Sequence, residues 1–241
     1  MRIAIEVLLL IVLFTSIWTG YKKGLVMCIG TILAIIVSLY VGDLFADTFS
    51  PAVRPAAKPF VSGSLDGSDG VVNTSLNALL DGNPAGLSVD DAIKQQPELR
   101  MQLCEKSYEK VGVYSGTAKR MAARAVKKAD SEKVPLLSAM VDVMCADFTY
   151  LLSFLVFFLL SMILIAVIAN LVNLKLKLPG NDRLNRIGGL IAGVAVGAMF
   201  CFVIGWALRF GGMFLPEDGL NHTLLTALFV RFNPLPYFLS V

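Results

Sequence analysis

The sequence predicts an all-α integral membrane protein, with four transmembrane helices in two hairpins and a largely helical polar insert between them. The chain is 56% hydrophobic and 16% charged, whereas soluble domains are about 45–50% apolar and about 25% charged. The charge is also concentrated. Twelve of the 21 Lys and Arg residues and thirteen of the 18 Asp and Glu residues lie between Ala46 and Asp147. The rest of the chain is therefore apolar over long stretches.

Four apolar runs predict the membrane spans: Ile3–Trp18, Leu25–Phe45, Phe148–Leu174 and Ile187–Leu208. A helix needs about 20 residues to cross the hydrocarbon core. The first run is short, so its span requires Glu6 to lie at the interface or the bilayer to thin locally. The predicted organisation is a hairpin at residues 1–45, an extracytoplasmic insert at 46–147, a second hairpin at 148–210 and an interfacial tail at 211–241.

The basic residues of the short loops predict the orientation of the spans. Lys22 and Lys23 lie in the first loop, and the second loop holds Lys175, Lys177, Arg183 and Arg186. Short cytoplasmic loops carry an excess of Lys and Arg, whereas inserts longer than about 60 residues translocate largely regardless of charge. Both loops are therefore predicted to be cytoplasmic, with both termini and the insert outside.

The insert is predicted to begin with a loop and to continue as helices. The loop is indicated by Pro51, Pro55 and Pro59, followed by a stretch rich in Ser and Gly from Ser62 to Gly70. A loop of this kind should tolerate deletion of Ser62–Gly70. Further along, Val71–Leu80 predicts a short helix, and Ser88 is a predicted N-cap with Asp91 at the third helical position.

A basic amphipathic helix is predicted at Thr117–Lys128. Its basic face holds Lys119, Arg120, Arg124, Lys127 and Lys128, opposite an apolar face of Ala118, Met121, Ala122, Ala125 and Val126. Such a helix can lie on an anionic membrane surface or contact a partner protein. Alternatively, it is a solvated helix that packs its narrow apolar face on the insert.

The tail is predicted to form an interfacial helix. Its apolar residues recur on one helical face: Leu220, Leu224, Leu225, Leu228, Phe229 and Phe232. A fifth span is disfavoured by Arg231, Pro234 and Pro236.

The fourth span carries a glycine face formed by Gly189, Gly193 and Gly197, flanked by Gly188. Residues four apart share one side of a helix, so these glycines let another backbone approach closely. In lipid, such contacts supply the association that the hydrophobic effect supplies in water. Two interpretations follow. The face forms a homo-oligomer seam or pore lining, or it packs against the first three helices of the same chain.

Two short segments resemble the colicin V production protein (CvpA) family. Leu184-Asn185-Arg186-Ile187-Gly188-Gly189, continued by Gly193 and Gly197, is similar to that family's Asp-Arg-x-x-Gly-x-x-x-Gly-x-x-x-Gly motif, with Asn185 in place of Asp. The turn Gly20-Tyr21-Lys22-Lys23-Gly24 looks like its Gly-x-basic-basic-Gly turn. The resemblance covers both hairpins, about 110 residues of the chain. It implies a multi-pass inner-membrane protein linked to export of a peptide toxin and to envelope integrity.

The residues themselves indicate no catalytic, metal or cofactor site. No ionisable group is predicted deep in the spans, and no phosphate loop or Gly-x-Ser-x-Gly elbow occurs. The only histidine, His222, reads as an exposed interfacial side chain. Net charge of +3 and the lack of a basic aromatic patch argue against nucleic acid.

The remaining expectation is a non-catalytic scaffold in the lipid bilayer, whose insert contacts an envelope or export protein. The alternative is a small oligomeric channel or transporter subunit built around the glycine face. Cys104 and Cys145 could form a disulfide in the insert if it is outside the cell.

Overall fold

The computed structural model describes residues 2–66, 70–80, 88–171, 182–210 and 224–239, and in these ranges the chain is helical, without strands. The helices are α1 (Arg2–Lys23), α2 (Leu25–Asp66), α3 (Val71–Leu79), α4 (Val89–Gln95), α5 (Leu99–Val111), α6 (Ser115–Glu132), α7 (Leu136–Leu171), α8 (Asp182–Leu208) and α9 (Leu224–Arg231), with a 3₁₀ turn at Leu235–Tyr237. Four of them, α1, α2, α7 and α8, are long and apolar enough to cross a membrane. The all-α class and the four apolar helices are as predicted.

Contacts divide the described residues into two units. One holds those of Met1–Thr48, Leu152–Leu208 and Asp218–Val241, and the other those of Phe49–Leu151 and Arg209–Glu217. Both α2 and α7 contribute residues to each unit. We call the first the apolar unit and the second the polar unit.

In the apolar unit the closest pairing is between α1 and α8. The start of α2 packs on α7 through Gly42, where an added Cβ would meet the Phe154 ring at 3.2 Å. Nearby, the hydroxyls of Ser38 and Ser161 are hydrogen-bonded at 3.2 Å. These contacts join helices of different predicted hairpins.

The outer surface of the apolar unit is covered by large aliphatic and aromatic side chains. The most exposed include Phe14, Trp18, Leu33, Ile163, Leu164 and Ile191. Monomeric soluble proteins rarely expose contiguous apolar surface of this kind, whereas lipid hydrocarbon accommodates it without cost. This surface is compatible with a multi-pass membrane protein.

The polar unit has a core of its own. Leu76, Leu103, Met121 and Met140 are almost fully buried in it, contributed by α3, α5, α6 and α7. The buried Tyr108 donates a hydrogen bond from its hydroxyl to the carbonyl oxygen of Met140 at 3.0 Å. Burial of these side chains stabilises the unit at roughly 25 cal/mol per Å² of apolar surface.

The predicted loop is wrong from Pro51 to Asp66, because α2 continues as a helix over these residues. Residues 67–69 lie outside the described ranges. The three prolines are four residues apart, so they share one helix face, and that face is exposed. The carbonyls that lose their proline N–H partner lie on the same solvent-facing side. On the opposite face Val61 and Leu65 are buried, and this packing offsets the missing backbone hydrogen bonds. Deleting Ser62–Gly70 would therefore remove core residues.

Two smaller predictions have different outcomes. The Ser88 cap is confirmed, because its Oγ accepts a hydrogen bond from the Asp91 N–H at 3.3 Å. The face predicted for the tail is partly wrong. In α9, Thr226, Phe229 and Val230 are buried, while Leu228 is 48% exposed. The reason is tertiary: α9 packs on α8, where Gly205 lies against Phe229. Leu220 and His222 lie outside the described residues.

Candidate functional site

The glycine face of α8 is filled by α1 of the same chain. A Cβ on Gly189 would overlap the Gly20 carbonyl oxygen, and one on Gly193 would lie 2.8 Å from the Ser16 carbonyl oxygen. The obstructing atoms are backbone and cannot rotate away. In the structure this face therefore packs within the chain, as in the second interpretation.

The other two glycines make looser contacts. A Cβ on Gly197 would meet the Leu13 and Ser16 side chains at 3.1 Å and the Leu13 Cα at 3.3 Å, and the nearest atoms to one on Gly188 belong to the Leu25 side chain, at 3.0 Å or more. The closest approach to the α1 backbone is thus at Gly189 and Gly193. The sequence pattern does not separate these two from Gly197, because all three share the four-residue spacing.

The two segments that carry the family resemblance meet at one end of the apolar unit. Asn185 is buried, and its Oδ1 accepts a hydrogen bond from the Leu25 N–H at 2.9 Å. Gly24, which precedes Leu25 in the chain, has φ +84°, a conformation that favours glycine. A Cβ there would also overlap the Asn185 side chain. Gly24 therefore ends α1 and starts α2 in one residue, and Asn185 satisfies the first free N–H of α2.

The basic residues of these segments lie over aromatic rings. The Lys22 ammonium lies 5.0 Å from the centroid of Trp18, and the Arg186 guanidinium lies 5.8 Å from that of Tyr21. Both distances are within the range of cation–π attraction. Because Leu25 and Asn185 touch, the basic ends of α1 and α8 are at the same end of the apolar unit. Lys175 and Lys177 lie outside the described residues.

In the polar unit, α6 buries its predicted apolar face, including Ala118, Met121, Ala122 and Ala125. Its main partner is α5. The apolar face of the helix is thus packed within the polar unit, as in the second interpretation.

The five predicted basic residues separate into two groups. Arg124 makes a bidentate ion pair with the buried Asp147 carboxylate, and Lys128 contacts Asp142 at 3.3 Å. These two therefore hold α6 against α7. Arg120 is exposed, but it is close enough to Asp147 to interact with it electrostatically. Lys119 and Lys127 are exposed to solvent and take part in neither ion pair.

Two further cations come from α2, and the sequence did not indicate them. Lys58 pairs with Asp142 at 3.0 Å, and Arg54 is close enough to Asp147 to interact with it electrostatically. The sequence of α7 does indicate that its carboxylates need basic partners. Asp142 and Asp147 are its only charged residues, and charged groups that become buried are usually paired. However, a loop at this part of the chain gives no reason to expect Arg54 and Lys58 near these two aspartates. Only the helical extension of α2 brings them there.

Cys104 and Cys145 are free, buried thiols, so the structure contains no disulfide between them. Burial raises the pKa of the Cys104 thiol to about 12. Desolvation likewise raises the pKa of the neighbouring Tyr108 well above its usual value. These groups are packing residues rather than nucleophiles, because a reactive cysteine needs an accessible thiolate.

Comparison with known proteins returned no family model, no curated protein and no solved structure that matches this chain. The geometry is therefore the basis for assigning a function. In the part of the chain that the structure describes, no three His, Cys, Asp or Glu side chains come together as metal ligands.

Proposed function

We propose that this chain is a non-catalytic scaffold or accessory factor of the bacterial inner membrane. It acts in envelope homeostasis or in toxin or peptide production and export, as the resemblance to the CvpA family implies. In this proposal the basic ends of α1 and α8 face the cytoplasm, and both termini and the polar unit are outside.

The observation that carries the proposal is the role of the motif residues. Asn185 and Gly24 join the helices through the hydrogen bond to Leu25, and Gly189 and Gly193 admit the α1 backbone. Each is used to hold α1, α2 and α8 together. Motif residues that hold helices together are typical of a scaffold. In an enzyme, the motif residues would instead converge on a reacting group.

The partner surface of this scaffold is the exposed basic group of α6, Lys119 and Lys127. Positively charged, solvated residues on a rigid helix suit an acidic segment of an envelope or export protein. A channel built around the glycine face receives no such support, because α1 already covers that face.

The proposal is tested by complementation of a strain that lacks the gene. Lys119→Glu and Lys127→Glu are combined in the full chain, and Lys94→Glu with Lys110→Glu, exposed on α4 and α5, is the charge-matched control. We expect the Lys119/Lys127 variant to reach the membrane at normal abundance but to leave cells sensitive to bile salts, detergents or cell-wall stress, or defective in small-peptide export. The control should complement.

Arg120, Arg124 and Lys128 are left unchanged in this design, because their reversal would place like charges near Asp147 and Asp142 and confuse loss of folding with loss of binding. Full complementation by the Lys119/Lys127 variant, together with ion flux from the purified protein in liposomes, would replace the scaffold with a channel or transporter subunit.

The orientation is tested separately by thiol labelling of single cysteines on a cysteine-free background. A cysteine at Lys23 should be protected from an impermeant reagent added outside the cell, whereas one at Lys127 should react. The opposite pattern would reverse the proposed topology.

A further inference from the structure

A cavity of about 230 Å³ opens beside the glycine contact in the apolar unit. One wall comes from α1 and includes Lys23, Thr19, Ser16 and Thr15. The facing wall comes from α2 and includes Thr31, and the floor is formed by Val196 and Phe200 of α8. It thus combines polar walls with an apolar floor.

The polar groups of α1 are arranged as a ladder. Lys23, Thr19 and Thr15 are four residues apart, so they lie on one helix face at intervals of about 6 Å. Lys23 is the last residue of α1, and the hydroxyls follow one and two turns deeper along the span. The cation therefore lies at the end of the span, and the neutral polar groups lie along the same wall of the cavity, deeper in the span.

The two adjacent lysines of the turn have different surroundings. The Lys22 ammonium lies over the Trp18 ring at 5.0 Å, and it does not line the cavity, whereas Lys23 does. This difference provides a charge-matched pair of positions for an experiment.

The hydroxyls differ in the hydrogen bonds they can offer. Thr15 and Thr31 donate to carbonyls in their own helices, to Ile11 at 2.7 Å and to Met27 at 2.9 Å. Because their protons are used in these bonds, both lining hydroxyls can offer a ligand only their oxygen lone pairs, as acceptors. Ser16 and Thr19 lie between these acceptors and the Lys23 ammonium, at the depth where an incoming carbonyl oxygen would need a donor.

We propose that this cavity binds the headgroup and ester region of an anionic glycerophospholipid from the leaflet at the Lys23 end. The phosphate pairs with the Lys23 ammonium. The ester carbonyls, a few bonds deeper, accept hydrogen bonds from Thr19 and Ser16. The acyl chains lie on Val196 and Phe200 and continue into the bilayer. A soluble anion would use the cation and leave the apolar floor uncovered, so the floor favours a lipid.

The test uses the purified full-length protein in detergent, with phosphatidylglycerol added as the probe and bound lipid counted by native mass spectrometry. Lys23→Gln should weaken phosphatidylglycerol binding about fivefold, because one Lys contributes about that factor to attraction of an anionic lipid. Adding Thr19→Val should weaken it further. Lys23→Arg should retain binding.

The control variants make the same kind of substitution at positions that do not line the cavity. Lys22→Gln removes the neighbouring charge, and Thr48→Val removes a hydroxyl that is exposed, donates to Leu44 at 2.9 Å and lies away from the cavity lining. Both should bind the probe as the unmodified protein does. Circular dichroism confirms that each variant remains helical.

Three results would overturn the proposal. Equal losses for Lys22→Gln and Lys23→Gln would mean that only general charge matters. Equal affinity for phosphatidylcholine would remove the preference for an anionic headgroup. Displacement of the lipid by inorganic phosphate at the same concentration would make the occupant a soluble anion.

Discussion

Asn185 accepts a hydrogen bond from the backbone N–H of Leu25 at 2.9 Å, across 160 residues of chain. The first N–H groups of a helix have no partner within it and are usually satisfied by a side chain just before the helix. Here the preceding residue is Gly24, which has no side chain to offer. The cap of α2 is therefore supplied by α8, and this contact links the two motif segments.

The effect of replacing Asn185 on the stability of the apolar unit should depend on whether the new side chain can accept the hydrogen bond from the Leu25 N–H. Asn185→Ala leaves the Leu25 N–H without a partner, and we expect a loss of about 1–2 kcal/mol, visible as a lower Tm in detergent. Asn185→Asp retains an acceptor next to a helix N-terminus and should stay close to the unmodified protein. Equal losses for Ala and Asp would show that the hydrogen bond is not what Asn185 contributes.

The glycine face should respond to single methyl groups in a graded way. Gly189→Ala and Gly193→Ala place a Cβ against backbone atoms of α1, so each should cost about 1–3 kcal/mol. Gly188→Ala meets only the Leu25 side chain and should cost less. Thermal unfolding in detergent measures the order.

Gly30→Ala is the matched control, because a Cβ at Gly30 of α2 has nothing within 4 Å. It should be neutral or stabilising by up to about 1 kcal/mol, the helix-propensity difference. If Gly193→Ala is as stable as Gly30→Ala while the oligomer mass in light scattering changes, the face is an oligomer seam.

Substitutions near the end of α2 should change stability differently if this segment is a helix than if it is a loop. Leu65 is fully buried, so Leu65→Ala should destabilise the polar unit by about 2–5 kcal/mol. Gly63 has open space around it, so Gly63→Ala should stabilise a helix by up to about 1 kcal/mol. In a loop neither change would matter much, and urea unfolding of the full chain distinguishes the two.

Cys104 should be unreactive in the folded protein and should make stability depend on alkaline pH. Its pKa is raised to about 12 by burial, whereas the unfolded thiol titrates near pH 8.5. The contribution to stability is therefore fully present below pH ~8.5 and is lost as pH rises towards 12, because only the unfolded chain releases the proton. Cys104→Ser should flatten this part of the stability curve.

Alkylation provides the direct measurement. At pH 8 the folded protein should react with iodoacetamide at Cys104 far more slowly than the urea-unfolded protein does. Peptide mapping without reductant would also detect a Cys104–Cys145 disulfide, and finding one would contradict the free thiols of the structure.

The sequence by itself determined the helical class and the four apolar helices, because these depend on local properties. Hydrophobic length and helical period are summed along the chain, and no partner is needed to recognise them. For the same reason the apolar face of α6 and the Ser88 cap could be predicted, since both depend on residues a few positions apart.

Only the tertiary structure decided what those surfaces contact. The spacing of Gly189 and Gly193 indicated that another backbone approaches closely. The residues that do so, Gly20 and Ser16 of α1, are distant in sequence. The same applies to Arg124 and Lys128, whose partners are on α7.

The prolines of α2 show the reverse case. Local propensity favoured a loop, and burial of Val61 and Leu65 overrode it, because packing energy outweighs the backbone hydrogen bonds that proline removes. Local patterns determine which surfaces a helix presents, whereas the choice of partner is a free-energy comparison over the whole fold, and no short window of sequence contains it.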